Sequence, residues 1–558
     1  MRIRLDFAGC VTLVACVLLT NCSSVGSMTG APALSSGKPV ACTDIKNLSY
    51  TDQAFGKSVT ISSAVVIPAA EATVTSPALP ELCEVRGTIW PEIGFVVKMP
   101  ATGWNNRFYQ VGTGGSAGMI FEWSMPPALT DGFAVAGTDT GHKAKAGYPL
   151  GLFDLSWAYN PPDNSNPLVE QKKIDHFYRA QHETAVLAKK IVKAYYGGDA
   201  RYSYFVGCSN GGREGLLEAQ KYPEDFNGII AGAPMFTPPW GVMQWVWNAR
   251  QMTGAGWIDP VKLPLLSAVV LAKCDGLDGV VDGLIDDPRK CKFNALTDLA
   301  PCPQDADAPK CFTSAQRKAI FNIYDGPRTS DGRLLYPGTA FGSETIAFDP
   351  VQKRLKSGWE GQNTAASVET TLNVITGNGM FQYLVFIPAP GPSWNYTMFN
   401  FDTDPERMAV RNDIWRADRT DMRTFKAKGG KIILWHGTAD NYNSPYWSYK
   451  YYDAVRADMG TQETAAFMKF YTVPGAFHCR GGVGCFTSDA LWIKQLVDWV
   501  EKGVEPGTII GARPPIPALN LPARSRPFCP YLQIAVYKGS GSIDEAANFS
   551  CVNPAPRP

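Results

Sequence analysis

Histidine is scarce in this chain of 558 residues: there are five, at positions 142, 176, 182, 436 and 478. Any chemistry that needs an imidazole base must draw on this short supply. Surplus charge is missing too, with 52 Lys and Arg against 51 Asp and Glu, a balance of +1. That excludes the basic groove of a nucleic-acid binder and a polybasic membrane patch, and points to a small partner without strong charge. Long apolar runs are lacking as well. The best, Phe7 to Leu19, falls short of the roughly 20 residues that span a bilayer, so no transmembrane segment is expected. There is no internal repeat, and no low-complexity tract beyond a Gly/Ser/Ala-rich leader and a proline-rich stretch at 514–522.

Arg2 and Arg4 precede the apolar run, which is the layout of a secretory signal over residues 1–22, followed by a flexible leader at 23–41. Leu18-Leu19-Thr20-Asn21-Cys22 is similar to a lipoprotein cleavage box, and Leu13-Val14-Ala15-Cys16 competes with it. The expected location is outside the cytoplasm: secreted, periplasmic, or held at the outer membrane through a lipid on Cys22. Cysteine is plentiful by contrast. Of fourteen, three lie in the signal, leaving an odd eleven for a compartment in which thiols pair.

From residue 42 onward, strand-like runs alternate with helical patterns, which indicates an α/β sheet covered by helices. Phe108–Val111, Phe133–Ala136, Tyr204–Val206 and Ile432–Trp435 read as strands, and 175–195 as a helix with an apolar stripe of Ala180, Ala185, Val186, Leu187 and Ile191. Between 237 and 420 the rhythm stops, and prolines, tryptophans and an acidic loop replace it. The expected organisation is an α/β domain in two parts, 42–236 and 421–558, with one inserted domain between them.

Gly207-Cys208-Ser209-Asn210-Gly211 matches G-x-S-x-G, follows a strand and leads into a helical stretch. Small residues around Ser209 permit the sharp turn that lifts a nucleophilic hydroxyl above a sheet. The hydroxyl needs a base, and the base a carboxylate to fix its tautomer. Two histidines follow Ser209 in the chain. His478 lies after a strand-like run that succeeds the loop carrying Asp440, so Ser209, Asp440 and His478 are the expected triad, and His436 is read as a buried structural histidine. An oxyanion hole requires two backbone N–H groups. Asn210 supplies one; the loop 110–118 supplies the other, with Gly115 favoured and Gly114 the alternative. Cys208 precedes the serine and Cys479 follows the histidine, so a bond between them would clamp nucleophile to base. The alternative reading makes Cys208 a small apolar residue beneath the turn.

The segments "GCSNGGREG", "LWHGTAD" and "VPGAFHC", together with "WNNRFYQVGTGG" and the tail "RPFCPYLQIAVYKGSGSIDEAANFSC", resemble the tannase and feruloyl esterase family over nearly the whole mature chain. The resemblance implies an α/β-hydrolase fold, a large lid inserted between nucleophile and acid, and ester hydrolysis through an acyl-enzyme. It also implies disulfides Cys42–Cys83, Cys208–Cys479, Cys274–Cys291, Cys302–Cys311 and Cys529–Cys551, which leaves Cys485 unpaired.

In "CDGLDGVVDGLIDDPRKC", Asp275, Asp278, Asp282 and Asp286 suit a hard, oxygen-seeking cation, calcium best of all, although a solvated acidic turn has the same spacing. The resemblance favours a structural calcium ion held by Asp275, Asp278 and Asp282 side chains and the Val280 and Leu284 carbonyls. No organic cofactor is expected.

Trp240, Trp245, Trp247, Phe381, Tyr383, Phe386 and Trp394 offer either a slot for a flat acyl group or the core of the insertion. The window 371–394 has no Arg or Lys, which argues against a charged acyl group. The expectation is a feruloyl or hydroxycinnamoyl ester as substrate. A tannase or a mono(2-hydroxyethyl) terephthalate hydrolase is the rival of the same chemistry, and a phenolic-binding surface protein without turnover the rival of another class.

Overall fold

A computed structural model describes residues 38–48, 58–73, 78–145, 150–160, 166–349, 352–486 and 489–553. The signal, Cys16 and Cys22 lie outside these residues.

The centre is a nine-stranded sheet: β1 (Val59–Ile67), β2 (Leu82–Ile89), β3 (Ile93–Pro100), β4 (Arg107–Val111), β5 (Ala134–Thr138), β6 (Tyr202–Cys208), β7 (Gly228–Gly232), β8 (Lys431–Gly437) and β9 (Met468–Val473). Their spatial order is β1-β2-β3-β5-β4-β6-β7-β8-β9. The first three strands and β5 pair antiparallel, and from β5 to β9 every pairing is parallel. Each of the four strands read from the sequence is present.

Parallel strands are buried on both faces, and alternate side chains here divide between two cores. Phe108, Phe205, Ile229, Ile432 and Leu434 pack on one side with helix α1 (Ala180–Tyr196). Tyr109, Tyr204, Val206, Ile230, Ile433 and Trp435 pack on the other with Trp492, Leu496 and Trp499 of a helix at Asp489–Lys502. Of the stripe read from the sequence, Ala180, Ala185, Leu187 and Ile191 are buried, whereas Val186 is only partly covered and Ala188 takes the inward position. The helix stops at Gly197, whose φ of 78° is the left-handed conformation glycine adopts without strain, with its N–H capping the Lys193 carbonyl.

The chain between β7 and β8 forms a separate cluster of short helices with its own core, into which Leu155, Trp157 and Phe177 also pack. Toward its end, Ala417, Met422 and Phe425 have already joined the core of the sheet. One stretch among the described residues, Gly254–Asp278, has the length and hydropathy of a membrane span by composition. Its regular helix is confined to Leu263–Cys274, and Leu263, Leu266 and Val270 are buried in the insertion's core. All five expected disulfides are formed, and Cys485 is a buried free thiol.

Candidate active site

Ser209 sits between the end of β6 and helix α2 (Asn210–Lys221), with φ 65° and ψ −123°. A non-glycine residue in that region is strained, and the surroundings over-determine it. Its N–H donates to the Gly232 carbonyl at 2.9 Å, and its carbonyl accepts from Arg213 N–H and Met235 N–H. A side chain at Gly207 would meet the Gly211 backbone at 2.6 Å, and one at Gly211 the Thr113 carbonyl at 2.7 Å. The turn is therefore built for glycine on both sides of the serine.

Asp440 lies on the loop after β8 and is buried. Its Oδ2 faces His478 Nδ1 at 2.8 Å and His436 Nε2 at 3.1 Å, while Oδ1 accepts from the N–H groups of Tyr442 and Asn443, both at 2.8 Å. Burial works against the charge on Asp440, but the field of His478 and the hydrogen bonds from both imidazoles outweigh it and hold the carboxyl well below the usual range. A carboxylate at Nδ1 directs that proton toward Asp440 and leaves His478 Nε2 as the basic nitrogen. The Cys208–Cys479 disulfide, with Cα atoms 5.9 Å apart, ties the residue before Ser209 to the residue after His478. Serine, imidazole and carboxylate thus converge from three loops at the same edge of the sheet.

His436 is the buried structural residue that the sequence suggested, and its role is specific. Its Nε2 faces Asp440 and the Asn443 carbonyl, so it carries hydrogen there, and Nδ1 pairs with Ser448 Oγ at 2.6 Å. Asp440 is held between two imidazoles. Sequence gave no sign of that second contact, because a histidine four residues before an aspartate has no fixed orientation until the loop between them is known.

The loop after β4 is fastened to the serine turn by Glu214. One carboxylate accepts Thr113 Oγ1–H and Asn210 Nδ2–H at Oε1, and Thr113 N–H and Gln181 Nε2–H at Oε2. Burial pushes this carboxyl up, against the opposing pull of Arg213 and of the hydrogen bonds from Thr113 and Gln181. Gly211 N–H donates to the Thr113 carbonyl at 2.7 Å, completing the seam. Among the described residues, the N–H groups of Gly114 and Gly115 have no backbone acceptor, and that of Asn210, first in its helix, has none in the preceding turn. Gly115 has φ 57°, and a side chain there would strike the Leu152 carbonyl at 2.4 Å.

A cavity of about 60 Å³ opens beside Ser209, Asn210 and Gly115. Its wall comes from three distant stretches: Leu152–Leu155 and His176 before β6, Met235–Trp245 at the start of the insertion, and Thr376, Met380 and Trp415 near its end. His478 itself lines a separate, wider groove of about 980 Å³, together with Tyr442, Phe348, Arg480, Arg513 and the proline-rich stretch.

The model of the tannase and feruloyl esterase family matches residues 76–552. The chain belongs to that family. It is a carboxylic ester hydrolase of the tannase and feruloyl esterase type. It is 33% identical to an uncharacterized esterase of Xanthomonas campestris pv. campestris, over 96% of this chain and 95% of that one. It is 32% identical to the mono(2-hydroxyethyl) terephthalate hydrolase of Piscinibacter sakaiensis, over 87% of each. Among solved structures it resembles an esterase from Aspergillus oryzae with a TM-score of 0.74 at 25% identity, covering 88% of this chain and 97% of that one.

Within this esterase the seven aromatic residues singled out by sequence have separate fates. Trp245 alone lines the cavity beside Ser209, and its indole N–H donates to the Tyr442 carbonyl at 2.8 Å. Phe381, Phe386 and Trp394 are buried against one another and Phe399 in the insertion's core, with Tyr383 packed beside them, and Trp240 also packs against that core. Trp247 donates to the Asn322 carbonyl and meets Phe401 edge-on. Their density reflects a core that must be filled by short helices. His176 and Trp415, which do reach the cavity, were missed because both lie outside the aromatic-dense segments of the insertion.

The acidic loop carries four carboxyls, one of which meets two cations. Asp282 pairs with Arg524 and Arg526 of the C-terminal strands. Asp275 accepts from the N–H groups of Asp282 and Gly283, and Asp278 from that of Val280. Burial and the neighbouring carboxylates push Asp278 up to about 6 and Asp286 well above its ordinary value. The donors are all oxygens. That donor set fits a hard divalent ion.

Proposed function

We propose that this esterase hydrolyses esters of aromatic acids with Ser209 as nucleophile, His478 as base and Asp440 as the group that orients the base. The observation that carries this reading is the pairing of buried Asp440 with His478 at 2.8 Å, coupled through Cys479 and Cys208 to the strained turn bearing Ser209. His478 Nε2 takes the serine proton as Oγ attacks the ester carbonyl. The N–H groups of Asn210 and Gly115 receive the developing oxyanion. The same imidazole, now charged, gives its proton to the departing alcohol, and water then releases the acid from the acyl-serine by the same steps. The cavity on the Ser209 side takes the acyl group. The wider groove lined by His478 suits the alcohol, which must leave next to the protonated base. Met235 and Met380 flank the acyl cavity, and their unbranched side chains can swing aside to admit a ring. The insertion that supplies these residues acts as a lid over the serine.

No Lys or Arg is among the residues lining the acyl cavity, which supports an uncharged feruloyl-type acyl group over the terephthalate monoester named for the Piscinibacter relative. Purified protein and Ser209→Ala are compared on methyl ferulate, methyl gallate and mono(2-hydroxyethyl) terephthalate. Serine-dependent turnover led by the ferulate is expected. Another leader among the three revises the acyl group. Turnover that survives the Ser209 substitution removes the proposed mechanism.

Calcium in the acidic loop is proposed to hold the insertion to the C-terminal strands, through Asp275, Asp278 and Asp282 side chains and the Val280 and Leu284 carbonyls. Export is proposed from the N-terminal signal, and the mass of the purified mature chain reads whether Cys22 carries lipid.

A further inference from the structure

The cavity beside Ser209 is apolar apart from a few polar points, and three of these have no hydrogen-bond partner among the described residues. They are His176 Nε2, Thr376 Oγ1 and Trp415 Nε1. His176 and Trp415 are each 2% exposed and Thr376 7%. Buried polar atoms are nearly always paired, and three orphans in one small cavity mark a place shaped for a ligand's own polar group. The chemistry of the three narrows what that group is. An indole N–H can only donate, a threonine hydroxyl does either, and an imidazole nitrogen does one or the other according to its tautomer. The His176 and Trp415 rings meet edge-on with centroids 5.3 Å apart, so their nitrogens serve one neighbourhood. His176 Nδ1 is engaged by Thr140 Oγ1 at 3.2 Å. Burial, reinforced by His142 and Arg213, holds this imidazole far below its ordinary range, so it meets the ligand uncharged. Arg213 donates through Nε to Asn210 Oδ1 and through Nη1 to the Phe177 and Trp415 carbonyls, while its Nη2 is a further buried donor without a partner among the described residues.

We infer that this end of the cavity recognises a hydroxyl on the ring of the acyl group: Trp415 Nε1–H donates to the hydroxyl oxygen, and His176 Nε2 accepts the hydroxyl hydrogen. His176 Nδ1–H then points at Thr140 Oγ1, and Thr376 Oγ1–H gives the hydroxyl oxygen a second donor. A ring ether satisfies Trp415 but leaves His176 without its donor, and an unsubstituted ring leaves all three unpaired. The inference rests on the esterase reading and adds to it the residues that choose the acyl group.

The test uses methyl 4-hydroxycinnamate, methyl 4-methoxycinnamate and methyl cinnamate with the full-length protein and with Trp415→Phe, His176→Gln and Thr376→Val. The quantity read is the ratio of kcat/KM for the hydroxylated ester to that for each of the others, within one variant. A ratio cancels any general loss of activity, and Thr376→Val preserves shape if the larger changes disturb folding. In the unsubstituted protein the hydroxylated ester is favoured by at least about tenfold, because a site built to pair a hydroxyl rejects analogues without it. Trp415→Phe and His176→Gln each reduce that ratio several-fold. Equal kcat/KM for the three esters, or ratios untouched by every variant, overturns the inference. p-Nitrophenyl acetate, whose acyl group has no ring, separates the two levels. Its turnover alongside a ratio of one refutes the hydroxyl subsite alone, whereas no turnover of any ester refutes the esterase reading and the subsite with it.

Discussion

At the scale of single residues, Glu214 shows how much of the site depends on a side chain that touches no substrate. Its four accepted hydrogen bonds join Thr113, Asn210 and Gln181, and through them the loop after β4 to the serine turn. Glu214→Gln keeps the shape but turns an –NH₂ against groups that are themselves donors. At least one buried donor is left unpaired, at a cost of about 1–3 kcal/mol. Thr113 and Asn210 then lose their common anchor. The expected result is a lower kcat with a smaller change in KM, because the oxyanion exists only beyond the ground state. Steady-state kinetics on methyl ferulate alongside the thermal midpoint distinguishes this from simple loss of stability, which would lower the midpoint and leave kcat of the folded fraction unchanged.

At the scale of elements, the parallel strands β6 to β9 bring four loops to one edge, and the Cys208–Cys479 bond fixes two of them across 271 positions of sequence. Loop-closure entropy alone gives such a bond up to about 5 kcal/mol. Its second effect is positional, since a backbone shift of an ångström between Ser209 and His478 costs far more in rate than in stability. Replacing both Cys208 and Cys479 by Ser is expected to lower kcat/KM on methyl ferulate at least about tenfold at a temperature where circular dichroism shows the chain still folded. Activity unchanged under those conditions would make the bond a staple for stability alone.

At the scale of the whole molecule, the insertion and the C-terminal strands meet at the acidic loop. Arg524 and Arg526 reach across to Asp282, and Cys274–Cys291 and Cys529–Cys551 brace the two partners. An ion bound here stabilises the folded chain by mass action. Chelation with EDTA is expected to lower the thermal midpoint by several degrees, and calcium but not magnesium is expected to restore it, because an irregular loop of oxygen donors suits the larger ion. A midpoint indifferent to both chelator and calcium removes the metal from the picture, leaving the arginines as the only counterions.

What the sequence by itself determined is what depends on neighbouring residues. The serine turn is set by Gly207 to Gly211, the strands and α1 by periodic burial, and Asp440 and His478 by their places just after consecutive strands. The Cys208–Cys479 contact was legible because each cysteine adjoins a residue already tied to the other's neighbour. Tertiary structure alone decided the partners of Asp440, the Glu214 seam and the walls of the acyl cavity. His176 lies 200 positions before Thr376, and Trp415 follows on another helix of the insertion, so only packing turns their polar atoms toward one space. Aromatic density pointed to a pocket and produced mostly core, because burying apolar area is the same driving force in both places, and composition records the force without the direction.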